Sequence, residues 1–190
     1  MRTLIIAVLL ALPLFGCSSP TEQRRAHLPK ELRNQEGHQD EPRQPYYYGL
    51  IEEYRGVLAE DPHNRAAIIA LANAYYDSGN WRQAIQYYER ALALDPHDPD
   101  ILTDLGTSYR NSGNSDRAFQ YYQQALHQNP DHLNARYNLG IVYAYDRKDF
   151  TGAIREWEYL LRVAPTFPHA AKMRETIASF KKKLAGRGAS

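Results

Sequence analysis

The side chains best suited to chemistry in this chain are few, and their spacing does not bring them together. Cys17 is the only cysteine among 190 residues. A lone thiol closes no internal disulfide, and no Cys/His spacing fits a structural zinc site. Seven histidines raise the question of a metal. His63 and His97 stand at matching places in two Pro-containing segments, with no acidic or cysteine partner spaced to join them, so both are expected to be exposed loop residues. The sequence has no His-Glu-x-x-His, no Gly-x-Ser-x-Gly and no phosphate-cradling Walker loop. Gly186-Arg187-Gly188 is too short to hold a phosphate. These observations predict no enzyme, no metal and no cofactor. Lys+Arg 23 against Asp+Glu 22 leaves a net charge of +1, which gives no electrostatic basis for nucleic-acid binding.

Cys17 takes its meaning from what precedes it. Met1-Arg2-Thr3 carries one positive charge, Leu4 to Leu12 is unbroken apolar sequence, and Pro13-Leu14-Phe15-Gly16 follows. The run is far below the ~20 residues a membrane-spanning helix needs. Its order of basic start, apolar middle and small residue is that of a secretory signal. Leu14-Phe15-Gly16-Cys17 resembles the bacterial lipobox, although Phe15 departs from the small or β-branched residue usual there. The resemblance implies a lipoprotein signal peptide over 1–16, diacylglycerol on the Cys17 thiol and an acyl chain on its new amine. A plain signal peptide or a short apolar anchor is the alternative. One acyl chain holds a protein only marginally, at ~0.8 kcal/mol per buried CH2, whereas several on one residue hold it firmly. By resemblance to enterobacterial lipoproteins, Ser18 and Ser19 in place of Asp favour the outer membrane, facing the periplasm, in a Gram-negative host.

Residues 17–45 read as the lipidated Cys followed by a disordered tether. Pro20, Pro29, Pro42 and Pro45 punctuate a polar stretch whose few apolar residues, Ala26, Leu28 and Leu32, bury too little to offset backbone ordering. A flexible coil of this length spans on the order of 30 Å.

The remainder repeats. Asp61-Pro62-His63-Asn64, Asp95-Pro96-His97-Asp98 and Asn129-Pro130-Asp131-His132 recur every 34 residues, and Pro165 follows 35 after Pro130. In phase with them run Leu71-Ala72, Leu105-Gly106 and Leu139-Gly140. Tyr75, Tyr109 and Tyr143 follow, then Ala84, Ala118 and Ala153, Tyr88, Tyr122 and Trp157, and Ala91 and Ala125. This pattern resembles the tetratricopeptide repeat. It implies an all-α, right-handed α-solenoid of three helix pairs over 65–98, 99–132 and 133–167, with a half-unit at each end. The half-units are an N-terminal helix in 46–64 and a capping helix with a basic tail in 168–190.

The residues support that fold independently. Leu71, Ala74 and Tyr75 share a helical face, as do Ala84, Ile85, Tyr88, Ala91 and Leu92. Gly79-Asn80 and Gly113-Asn114 supply turns tolerant of positive φ, and the boundary prolines stop the second helix. Each pair leaves an apolar side that only its neighbour can cover, so the units must stack. In the third unit Tyr145-Asp146-Arg147-Lys148-Asp149 replaces Ser-Gly-Asn with one residue extra, predicting a longer turn. Leu160, standing where the other units have alanine, predicts shifted packing against the helix that follows.

In the tetratricopeptide family the first helix of each unit lines an inner groove. Carried onto this chain, the groove comprises Ile69, Asn73, Tyr76 and Asp77, then Thr103, Thr107 and Arg110, then Asn134, Tyr137, Ile141 and Tyr145. Tyr, Asn and Thr with one Arg suit peptide recognition. The carboxylate clamp of some members is not matched, because Ile69, Asp104 and Asn134 stand where polar or basic partners are wanted. The resulting expectation is a lipid-anchored extracytoplasmic adaptor, binding a protein or peptide of the cell envelope in its groove and touching the membrane through its lipid. The alternative is a pilotin-like assembly factor for a secretin, type IV pilus or secretion system.

Overall fold

The computed structural model of the protein describes residues 44–187, so the signal peptide, Cys17 and nearly all of the expected tether lie outside the described residues. Among the described residues there are eight α-helices, one π turn and no strand. The helices are α1 (Gln44–Glu60), α2 (Arg65–Asp77), α3 (Trp81–Leu94), α4 (Pro99–Asn111), α5 (Ser115–Gln128), α6 (Leu133–Ile141), α7 (Phe150–Val163) and α8 (Ala170–Arg187). They form an α-solenoid in which each helix packs on the next. No described helix is long and apolar enough to cross a membrane.

The same residue position starts the first helix of every pair. Asn64 Oδ1 accepts from the Ala67 N–H at 3.0 Å, and Asp98 Oδ1 accepts from those of Asp100 and Ile101 at 3.0 and 3.1 Å. His132 Nδ1 accepts from Ala135 at 3.1 Å. Each satisfies donors that a helix N-terminus leaves without a partner. Asn114 and Asp149 cap second helices in the same way. Gly79 and Gly113 take φ of 79° and 89° in the turns within a pair, where a side chain would be strained.

The third unit absorbs its extra residue differently from the sequence expectation. Its turn is not longer. Arg147, Lys148 and Asp149 occupy the places of Ser78, Gly79 and Asn80, with Lys148 at φ 57° where the other units have glycine. The insertion is taken up as a π turn, Val142–Asp146, with the Arg147 N–H donating to the Val142 carbonyl at 2.9 Å. The reason is a preserved anchor. The N–H of Asn80, Asn114 and Asp149 donates in each unit to the carbonyl of Tyr75, Tyr109 and Tyr143, at 2.8 Å every time. With both turn and anchor retained, only the helix can widen.

Close approach within pairs rests on small residues. A Cβ on Gly106 would lie 2.8 Å from the Tyr122 ring, and one on Gly140 would lie 2.2 Å from Trp157 Nε1. Ala72 occupies this position in the first unit and is fully buried, as are Tyr88 and Tyr122. One apolar cluster runs from α1 through α5 to Leu139 and Val142. A second joins Ala144, Ala153, Ile154, Trp157 and Leu160 to Ala170, Met173 and Ile177 of α8. Leu160 is wholly buried there. Burying such a side chain contributes roughly 1.5–3 kcal/mol.

Candidate protein-binding groove

Helices α2, α4 and α6 and the π turn carry the residues assigned to the groove, and several of them bond to side chains of neighbouring helices. Asn73 Oδ1 accepts from the Tyr88 hydroxyl at 2.5 Å. One unit on, the Thr107 hydroxyl accepts from Tyr122 at 3.1 Å and from Asn138 Nδ2 at 3.3 Å, while donating to the Thr103 carbonyl at 2.9 Å. Tyr76 accepts from Asn111 Nδ2 at 3.1 Å, tying α2 to α4. Arg110 forks onto Asp146, Nε at 2.7 Å and Nη2 at 3.3 Å, tying α4 to the π turn. Asn73–Tyr88 and Thr107–Tyr122 join helices within a unit, whereas Tyr76–Asn111, Thr107–Asn138 and Arg110–Asp146 are rungs that join one unit to the next and brace their spacing.

The remaining assignments divide. Asp77 and Tyr145 are exposed, Tyr145 by 49%, and Asn134 is half-buried. Ile69 and Ile141 are half-buried against the first and second apolar clusters. Thr103 requires a correction, because its side chain is buried and its hydroxyl donates back to the Pro99 carbonyl at 2.7 Å, filling a helical turn. Tyr137 requires another. Its ring stacks on His169 at 4.7 Å and lies 5.4 Å from Phe167, so it packs against the segment leading into α8. Burial pushes its phenol up from the ordinary value.

Three partners in these rungs, Asn111, Asn138 and Asp146, escaped the groove assignment, and Asn138 stands at the position of Asp104 one unit on. Asn111 stands at the position of Asp77 one unit on and could have been carried over with it. Asp146 has no counterpart in the other units, since it lies in the inserted stretch. A second unforeseen feature is ionic. Arg136 stands where Ile68 and Leu102 stand, and Glu156 where Tyr87 and Tyr121 stand. In the first two units Tyr75 stacks on Tyr87 and Tyr109 on Tyr121, each pair at 5.5 Å. In the third, Arg136 Nη1 donates to Glu156 at 2.8 Å, with both side chains largely buried, and its guanidinium lies 3.8 Å from the Tyr159 ring centre. Among the described residues no group of three His, Cys, Asp or Glu could hold a metal ion.

Stacked pairs, repeated caps and bonded inner helices define a helical-repeat scaffold for protein–protein contacts, a class that is typically non-enzymatic. Residues 51–99, 69–125 and 103–171 match the tetratricopeptide repeat, and the chain belongs to that family. No curated protein sequence matches it. Among solved structures it is similar to a crystal structure of MamA, with TM-score 0.61 and 24% identity over 74% of this chain and 91% of that one. A second MamA structure gives TM-score 0.61 and 23% identity over 75% and 86%. MamA 41-end from Desulfovibrio magneticus RS-1 gives TM-score 0.61 and 16% identity over 65% and 70%. At these identities the likeness is one of fold.

Proposed function

We propose that this protein is a lipid-anchored, extracytoplasmic adaptor that holds a protein or peptide segment in its inner groove and gathers an envelope complex at the membrane. The observation that carries the groove assignment is the set of bonds between consecutive first helices, Tyr76–Asn111, Thr107–Asn138 and Arg110–Asp146. A surface braced in advance loses little conformational freedom when a partner binds. Asp77 and Tyr145, both exposed, are its points of first contact. The lipobox-like Leu14-Phe15-Gly16-Cys17 supports the anchor, and an anchored domain searches a thin layer rather than bulk solution, which raises effective concentration.

Crosslinking and mass spectrometry from intact envelopes tests both parts. Palmitate label present in the wild type and lost in Cys17→Ala establishes the anchor. A partner recovered by the wild type and lost with Asp77→Lys plus Tyr145→Ala, at unchanged helicity, establishes the groove. Undiminished recovery moves the binding site elsewhere. A secretin as the recovered partner would specialise the protein to the pilotin role.

A further inference from the structure

The two ends of the solenoid are complementary halves of one helix pair. Helix α1 lies in the register of a second helix: it ends at Glu60, 34 residues before the end of α3 at Leu94. Leu50, Tyr54 and Val57 therefore stand where Ala84, Tyr88 and Ala91 stand. Those three are fully buried in the complete first unit, whereas Val57 is 38% exposed and Leu50 and Tyr54 are only half-buried. Ile51 and Leu58, on the side toward α2, are the buried residues of α1. Helix α8 lies in the register of a first helix. Ala170, Met173 and Ile177 pack on the third unit. Its positions matching Ile68, Leu71, Ala72 and Tyr75 are Ala171, Arg174, Glu175 and Ala178, and all four are exposed.

We propose that a second copy of this chain docks end to end, its α1 seating on α8 of the first, so that two half-units complete one repeat across the junction. In the sequence Asn34, Gly37, His38 and Glu41 fall one repeat length before Ile68, Leu71, Ala72 and Tyr75, and none is a large apolar residue. Side-chain size matches across the proposed contact. Leu50 and Val57 are larger than Ala84 and Ala91, while Ala171 and Ala178 are smaller than Ile68 and Tyr75. Charge matches as well. Glu52, Glu53 and Glu60 stand against a single arginine on α1, whereas α8 carries Lys172, Arg174, Lys181, Lys182, Lys183 and Arg187 with one glutamate. Two α1 helices would repel each other, and α1 attracts α8. The contact is heterologous, so it propagates into chains of molecules rather than closing as a two-fold dimer.

Cysteine crosslinking in full-length protein at the membrane tests this. One tagged copy carries Val57→Cys and a differently tagged copy carries Ala171→Cys, the positions of the packed pair Ala125 and Leu102 in the second unit; both are exposed, and circular dichroism checks that helicity is kept. The expected product is a covalent mixed dimer that disappears when either introduced cysteine is reverted, with a ladder of higher species when one chain carries both. Glu53→Lys with Glu60→Lys should cut the mixed product roughly tenfold, and Arg174→Glu with Lys182→Glu on the other copy should restore it. The proposal is overturned by dimers from Val57→Cys alone, by links from Val57→Cys to residues 1–43 or to a different protein, or by no product from well-folded chains. Groove variants leave the ladder intact, so its loss is distinct from loss of an envelope partner.

Discussion

The imidazole of His132 is held at both nitrogens: Nδ1 accepts the Ala135 N–H at 3.1 Å, and Nε2 faces the Asp100 carboxylate at 2.9 Å. Because Nδ1 accepts, Nε2 carries the proton and donates it to Asp100. One side chain thus starts α6 and ties it to the first turn of α4. His132→Ala should cost about 1–2 kcal/mol in urea unfolding, whereas His132→Asn, which reproduces the cap made by Asn64, should keep much of the loss from appearing. Equal costs for the two would show that the cap is not what His132 contributes.

The same contact predicts the acid limb of stability. The hydrogen bond from His132 holds the Asp100 carboxyl below its usual value, against an opposing push from burial. A depressed folded-state pKa stabilises the fold above the unfolded value, near 4, and the contribution is lost as pH falls through the lower folded value. Asp100→Asn should therefore flatten the decline of stability below about pH 4, read from urea midpoints across pH.

At the alkaline end the sign reverses. Burial, with a donated hydrogen bond to Glu89, pushes the Tyr109 phenol up to about 12, and burial pushes Tyr122 up as well. A neutral phenol favoured by the fold keeps its stabilisation below the unfolded value near 10 and loses it as pH rises toward the folded one. Ultraviolet titration should show late-ionising tyrosines, Tyr109 and Tyr122 among them, that titrate normally in urea, and Tyr109→Phe should remove one of them.

Gly140→Ala tests helix propensity against packing. Alanine gains about 1 kcal/mol over glycine in a helix interior. Its Cβ would stand 2.2 Å from Trp157 Nε1, which donates to the Tyr137 carbonyl at 3.1 Å and cannot swing away freely. Net destabilisation of about 1–3 kcal/mol is expected by thermal unfolding. Gly106→Ala, which meets the edge of the Tyr122 ring, should cost less, since Ala72 is accommodated at the matching position.

The Arg136–Glu156 pair gives a further expectation. Arg136→Ala leaves Glu156 largely buried with only Arg155, at 3.0 Å, to offset its charge, and should cost about 3 kcal/mol. Arg136→Ile with Glu156→Tyr, which restores the residues of the first unit, should be neutral or stabilising by about 1–4 kcal/mol in the same denaturant series.

The chain determined its architecture by repetition. Pro at each boundary, Leu-Gly/Ala in each first helix and Tyr or Trp in each second sit at fixed intervals, and a packing solution repeated three times is legible without coordinates. Positive φ at Gly79 and Gly113 and close approach at Gly106 and Gly140 follow from the residues themselves. Tertiary structure decided whatever depends on a neighbour one unit away. The inserted residue became a π turn because the anchors at Tyr143 and Asp149 resisted change. Thr103 turned inward and Tyr137 was taken up by the segment before α8, so neither is the open groove contact that position alone implies. Asp146 met Arg110 only because stacking placed two helices side by side. Local sequence sets helix ends and faces, whereas the partner of a polar side chain on a solenoid is chosen by the next turn of the stack.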